Sequence, residues 1–282
     1  MEIHLAPEHA YHLISPVSVD IARDRVEHKK MSLVGGVLGS LLTRSKPEDL
    51  QLVGVENRLE PFWLVDASSR TTYDRSATYV VPATGSDVTG VTVLGQELST
   101  APQAKGTPAF KLPAVEHCIQ ESRRRQTFEA ITGAEADLAK HAASAMNEIP
   151  DLASFAPDGL LVVPPQVRAS AIARRVTADL VKPIPGAQVI HEEQVDINTL
   201  DLYFRPVSVF EYEWAAKNKK VLIEYDPLLD EMHTGGKKFT DQFKSILTRD
   251  LLFDVTADAF GTIVPGGGIA VKLVKAVVDR RR

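Results

Sequence analysis

The residues from Pro206 to Pro227 constrain this chain more than any other stretch. Pro206-Val-Ser-Val-Phe-Glu-Tyr-Glu-Trp214 alternates strictly. An extended backbone therefore puts Ser208, Phe210, Tyr212 and Trp214 on one face and Val207, Val209, Glu211 and Glu213 on the other. The polar Lys217-Asn-Lys219 and the β-prone Val221-Leu-Ile-Glu-Tyr225 behind it make the stretch a hairpin. A weaker version lies upstream, where Pro61-Phe-Trp-Leu-Val65 leads through Thr78-Tyr-Val-Val81 to Pro82. Pro61 and Pro206 stand 145 residues apart, as do Pro82 and Pro227, and Lys29-Lys30 and Arg174-Arg175. This spacing predicts one structural unit present twice.

Each unit reads as a helix followed by an antiparallel meander. In the first, Val34, Val37, Leu38, Leu41 and Leu42 recur at helical spacing. Gly35, Gly36 and Gly39 each cost such a helix about 1 kcal/mol relative to alanine. It therefore needs a packed neighbour or, flanked by Lys29, Lys30, Arg44 and Lys46, a membrane surface. Strands are expected over 51–55, 62–67, 78–81 and 88–94. In the second unit a short strand over 160–163 precedes a helix over 166–182. Ala169, Ile172, Ala173, Val176 and Leu180 trace one face of that helix before Pro183 stops it. Strands over 189–195 and 200–204 then lead into the hairpin, whose aromatic face is expected to pack on the 166–182 helix.

Pro102, Gly106, Pro108 and Pro113 have linker composition, and the alanine- and charge-rich residues 114–146 predict a helical connector. Beyond Gly235-Gly236, the apolar spacing of Phe239, Phe243, Ile246, Leu247 and Leu251 predicts one helix. A second follows over 269–278, after the break at Pro265-Gly-Gly-Gly268. The fold class expected is α+β: two helix-plus-antiparallel-meander units, a helical connector and a C-terminal helical hairpin. The boundaries expected are 1–98 for the first unit with its N-terminal arm, 99–156 for linker and connector, 157–235 for the second unit and 236–282 for the amphipathic hairpin.

Tyr203-Phe-Arg-Pro206, opening onto an aromatic strand, resembles PepSY-like and cystatin-like modules, and Pro61 with the aromatic strand behind it matches upstream. The resemblance implies tandem binding or inhibitory modules and carries no catalytic residue over.

Composition narrows the chemistry. Of 282 residues 44% are hydrophobic and 24% charged, as in an ordinary globular protein, and a net charge of −5 offers no basic field for nucleic acid. Cys118 is the single cysteine, which excludes an intrachain disulfide and a cysteine-based zinc site. A cytoplasmic protein is expected, because neither a signal-peptide pattern nor an apolar run of about 18 residues is present. His4, His9 and His12 with Glu8 read either as a metal site or as a solvated arm. Arg123-Arg-Arg125 reads as a phosphate grip or as an ion-paired face beside Glu116, Glu121 and Glu129. His191-Glu-Glu-Gln-Val195 lacks the second histidine of a zinc protease, and Gly266-Gly-Gly-Ile-Ala-Val-Lys272 lacks the Gly-Lys-Ser/Thr ending of a phosphate loop. Asp254 and Asp258, four apart, suit an acid–base pair or a solvated stripe.

No cofactor is expected. The function expected is that of a non-catalytic interaction or scaffold protein in a bacterial cytoplasmic assembly, peripheral to a membrane. Other protein subunits, a second copy or a membrane surface are the partners, and nucleic acid is not. The contact surface expected is the last helix, through Val271, Lys272, Val274, Lys275, Val278, Arg280, Arg281 and Arg282. The same valines could instead complete the core. The alternative is a hydrolase-like enzyme with a carboxylate site between the two units, near Glu211, Glu213 and Glu224.

Overall fold

A computed structural model describes residues 1–43, 47–103, 106–215, 218–235, 249–256, 260 and 271–275, with backbone alone for 35–43 and 47. The elements run β1 (Glu2–Leu5), β2 (Ala10–Leu13), α1 (Val19–Thr43), β3 (Leu50–Pro82), β4 (Gly90–Val93), β5 (Gln96–Ala101), β6 (Ala109–Glu129), β7 (Met146–Glu148), β8 (Leu161–Val162), α2 (Ala169–Leu180), β9 (Val189–Trp214), β10 (Lys219–Asp226), β11 (Glu231–Thr234), α3 (Arg249–Phe253) and β12 (Lys272–Lys275). Among the described residues twelve strands form one mixed sheet with the central order β11-β10-β9-β3-β6-β5-β4. The two-unit α+β arrangement with a helical connector and a C-terminal helical hairpin is therefore not what forms.

The separate strands expected over 51–55, 62–67 and 78–81 are one strand of 33 residues. The three pieces expected over 189–214 are one strand of 26. These two strands lie side by side, antiparallel, from Leu50↔Trp214 to Asp74↔Val189, with register shifts after Leu52, Asp66 and Thr72. The second half of the expected connector helix is turn and loop up to β7, and the first half belongs to β6, 21 residues long and paired with β3 from Phe62↔Glu129 to Pro82↔Ala109. Its alanines and charges favour a helix only weakly, and a ladder of this length outweighs them. The expected terminal helix is also a strand where it is described: β12 runs parallel to β1, from Glu2↔Lys272 to Leu5↔Lys275. Its β-branched valines suit that state.

Two central prolines would ordinarily break such strands, because proline cannot donate to a ladder. The Pro61 carbonyl accepts from Ala130, so this residue turns its backbone away from β9. On that side β6 starts at Phe62 and β8 ends at Leu59, which leaves Pro61 in the gap between them. Pro206 repeats the device. The Leu202 amide donates outward to His9, so Pro206, four residues on, also faces outward. There β2 ends opposite Phe204 and β10 begins opposite Ser208. Each proline thus occupies a place that demands no N–H. The shared 145-residue offset does not mark the start of two separate modules: in one antiparallel ladder Pro61 faces Phe204 and Pro206 faces Leu59, with Glu60 opposite Arg205 between them.

Side chains on the two sides of the sheet have different covers. On one side Trp63, Val65 and Ala67 of β3, Phe128 of β6 and Ile197, Leu202 and Phe204 of β9 pack under α2 and α3. Farther along this helical face, Phe210, Tyr212, Trp214, Ile223 and Tyr225 pack against Ala22 and Val26 of α1. The aromatic face of the hairpin is buried, but under α1 and not under the 166–182 helix. The opposite, loop-covered face carries a smaller cluster of Leu13, Phe62, Leu64 and Tyr203. Among the described residues no helix is long and apolar enough to cross a membrane.

Candidate functional site

The loop-covered face holds a chain of charges at the centre of the β3–β9 ladder. Arg58 is 1% exposed. Its Nη1 donates to Glu56 at 3.1 Å and its Nη2 to Glu60 and to Glu224, each at 2.6 Å. Arg205 continues the chain, donating from Nη2 to the other oxygen of Glu60 at 2.6 Å and from Nη1 to Asp226 at 2.9 Å. Asp226 is bonded by Nε2 of the buried His141 at 2.5 Å and accepts the Leu228 amide at 2.9 Å. Burial pushes the Asp226 carboxyl up, but the His141 bond and charge, with Arg205, outweigh it and hold the group below the usual range. Burial likewise disfavours the Arg58 charge, and Glu60, Glu224 and Glu56 more than restore it.

These groups border a cavity of about 270 Å³ between Arg58, Glu60, Glu224 and Arg205 and the loop bearing Ile131, Thr132 and Leu138. Gly133 sets that loop. Its φ of 74° is in the left-handed region, its carbonyl accepts from Arg175 at 2.9 Å, and a Cβ there would stand 3.4 Å from Val167. The carboxylates outnumber the cations, so the space favours a cationic over an anionic guest.

The cavity is poorly equipped for hydrolysis. His141 is engaged at both ring nitrogens by acceptors, Asp226 and the Leu138 carbonyl, so neither is left to take a proton from a nucleophile. The Thr132 hydroxyl donates to Glu129 at 2.7 Å. Of the carboxylates expected for a catalytic site, Glu224 is bound to Arg58 and Glu211 to Lys220 at 3.0 Å, while Glu213 is exposed. The cross-strand register puts all three on this face.

A second feature is a β-arm. β9 stops opposite Asp74, yet β3 and β6 continue as a pair to Pro82↔Ala109, with β5 and β4 added at the tip. Val80, Val115, Ile119 and Val189 lie on one face of the arm and its root, at 59%, 55%, 62% and 50% exposure. At the root Asp74 bridges two histidines, His117 at 2.7 Å and His191 at 2.8 Å, whose hydrogen bonds hold its carboxyl below the usual range.

The other expected sites disperse. His4 turns to Asp196 at 2.8 Å, His9 to Asp201 at 3.5 Å and His12 edge-on to Phe155, and burial pushes His12 down. Burial pushes the carboxyls of Glu8 and Asp201 up. Among the described residues no group of three His, Cys, Asp or Glu side chains is arranged to hold a metal. Arg123 pairs with Asp66 at 2.7 Å, and alternation along β6 sends Arg124 to the opposite face, so the three arginines form no common grip. Of the expected contact surface, Lys272 pairs with Glu2 at 3.1 Å, Val271 packs partly against the main core, and Val274 and Lys275 belong to β12. Val278 and Arg280, Arg281 and Arg282 lie outside the described residues, as do Asp258 and Gly266.

Sequence reasoning missed Arg58, Glu60 and Arg205. Glu60 and Arg205 each stand directly before a strand proline, and only the antiparallel register sets them opposite one another. Compared with protein families, with curated proteins and with solved structures, the chain matches none. The resemblance to PepSY-like and cystatin-like modules therefore lacks support from relatives, as it lacks it from a sheet in which the two supposed modules share one ladder.

Proposed function

We propose that this is a non-catalytic interaction protein of the scaffold type, and that the β-arm is its contact surface. The observation that carries the reading is the exposed apolar stripe of Val80, Val115, Ile119 and Val189 on an arm that no described residue covers. Apolar side chains grouped in this way on a projecting sheet mark an interaction surface. The engaged groups of the charged cavity favour the same reading over the hydrolase alternative. A cytoplasmic location suits the single free thiol of Cys118.

The test is Val80→Lys combined with Ile119→Lys, expressed in the native cell and compared with the parent chain by native-gel migration and by thermal midpoint. The parent is expected to migrate as part of a larger assembly and the variant to migrate alone with its midpoint kept, since neither side chain belongs to the core. An unchanged assembly would defeat the proposal.

A further inference from the structure

We infer that the arm binds a second copy of this chain, edge to edge, through residues 76–82 of β3. The inference rests on the interaction reading above and names its partner. The Asp74 carbonyl accepts from Gln188 on the β9 side, whereas the Ala83 amide donates to Pro108 on the β6 side. The β3–β6 register is unbroken between them. Alternation therefore turns the amides and carbonyls of Ser76, Thr78 and Val80 toward the side that β9 has left. No described strand pairs with them there. This edge lacks the devices that ordinarily blunt one: no lysine, no bulge, and a proline only at its end.

The free edge also fits itself. It is bounded at one end by Gln188, which bonds Asp74 and whose side chain accepts from Ser76 at 2.8 Å. At the other end the strand stops at Pro82. A two-fold axis normal to the sheet keeps like faces together and pairs the edge antiparallel with its copy. The register that fills the slot without running into Gln188 places Tyr79 beside the partner copy's equivalent tyrosine. Thr78 then faces the copy's valine at position 80, and Ala77 the valine at position 81. The only side chain on the axis is aromatic, and the pairs beside it are β-branched or small, which suits cross-strand packing. Pro82, without an N–H, falls at the ladder's end opposite Ser76, where one missing donor matters least. No charge enters the ladder, since Arg75 lies outside it and is bound to Glu116 at 2.5 Å. The copy's strand is already extended, so it binds without the ordering cost that a free peptide would bear. Between its root and its tip the arm has two strands, β3 and β6, which is marginal by itself, and pairing makes that part four-stranded.

The experiment is sedimentation velocity on the purified full chain over a dilution series, for the parent and for Thr78→Pro. The Thr78 amide points to the free edge, so proline there takes no bond from the β3–β6 ladder. The parent is expected to dimerise reversibly and the variant to associate roughly ten- to a hundredfold more weakly, from two lost hydrogen bonds. Cysteine placement reads the register. In a Cys118→Ser background, Tyr79→Cys is expected to oxidise to a disulfide-linked dimer, because the axis puts the two positions within disulfide reach. Val81→Cys, facing alanine, is expected to stay unlinked. A parent that remains monomeric throughout, a dimer that survives Thr78→Pro, or linkage at 81 and not at 79 would each overturn the inference. A monomeric parent whose cellular assembly is still lost with Val80→Lys and Ile119→Lys defeats self-pairing alone and leaves the interaction reading standing.

Discussion

Arg58 shows at the scale of one residue how the fold tolerates charge inside a sheet. Its guanidinium is 1% exposed and bonded to Glu56, Glu60 and Glu224. Removing one partner of a buried ion pair strands the others, so Arg58→Ala is expected to cost about 3–5 kcal/mol in urea denaturation. Arg58→Lys should recover only part of this, since one ammonium cannot reproduce the forked contacts. Asp226 governs the acid side. Its folded value lies below the unfolded one, so its stabilisation is complete above the unfolded pKa of about 3.9 and is lost as pH falls through the folded value. Asp226→Asn should therefore flatten the pH dependence of the urea midpoint below about pH 4. Asp201 and Glu8, shifted up by burial, act in the opposite sense, and their protonation relieves a penalty as pH falls. A variant whose acid limb stays as steep as the parent's would remove Asp226 from this account.

At the scale of elements the long strands decide the packing. Trp214 is 1% exposed, in a cluster with Ala22 and Val26 of α1. Trp214→Ala is expected to cost about 3–5 kcal/mol, as for a core truncation. Hydrogen exchange should place the loosening in α1 and leave α2 protected, and loosening of α2 would contradict the packing. Alternation in 206–214 made the burial of this face legible. It could not name the helix above it, because α2 carries the clear apolar stripe while α1 as a whole carries none, and only the path of the chain brings Ala22 and Val26 over this face. The helix expected over 114–146 failed for a related reason. Val115 and Ile119, four apart, share a face in a helix and in a strand alike, and the partner that settles the matter lies dozens of residues upstream in β3.

The whole molecule is tied together by the β3–β9 ladder, and the main core draws on Ile3 near one end of the chain and Phe260 near the other. Calorimetry is therefore expected to show one cooperative transition, with van't Hoff and calorimetric enthalpies equal. Two separable transitions would mean that the halves fold independently. The sequence by itself determined which faces are apolar, where the hairpin after Trp214 turns, and that Pro61 and Pro206 are equivalent in some way, because side-chain alternation and proline's missing donor are properties of the local chain. The tertiary structure alone decided what the equivalence means. A missing N–H says that a residue lacks an outer neighbour without saying which strands stop on either side of it, and a one-residue change of register would send Arg58 to the helical face and Trp63 to the other. The charged cavity and the free edge of the arm come into being only where strands from distant parts of the chain begin and end against one another.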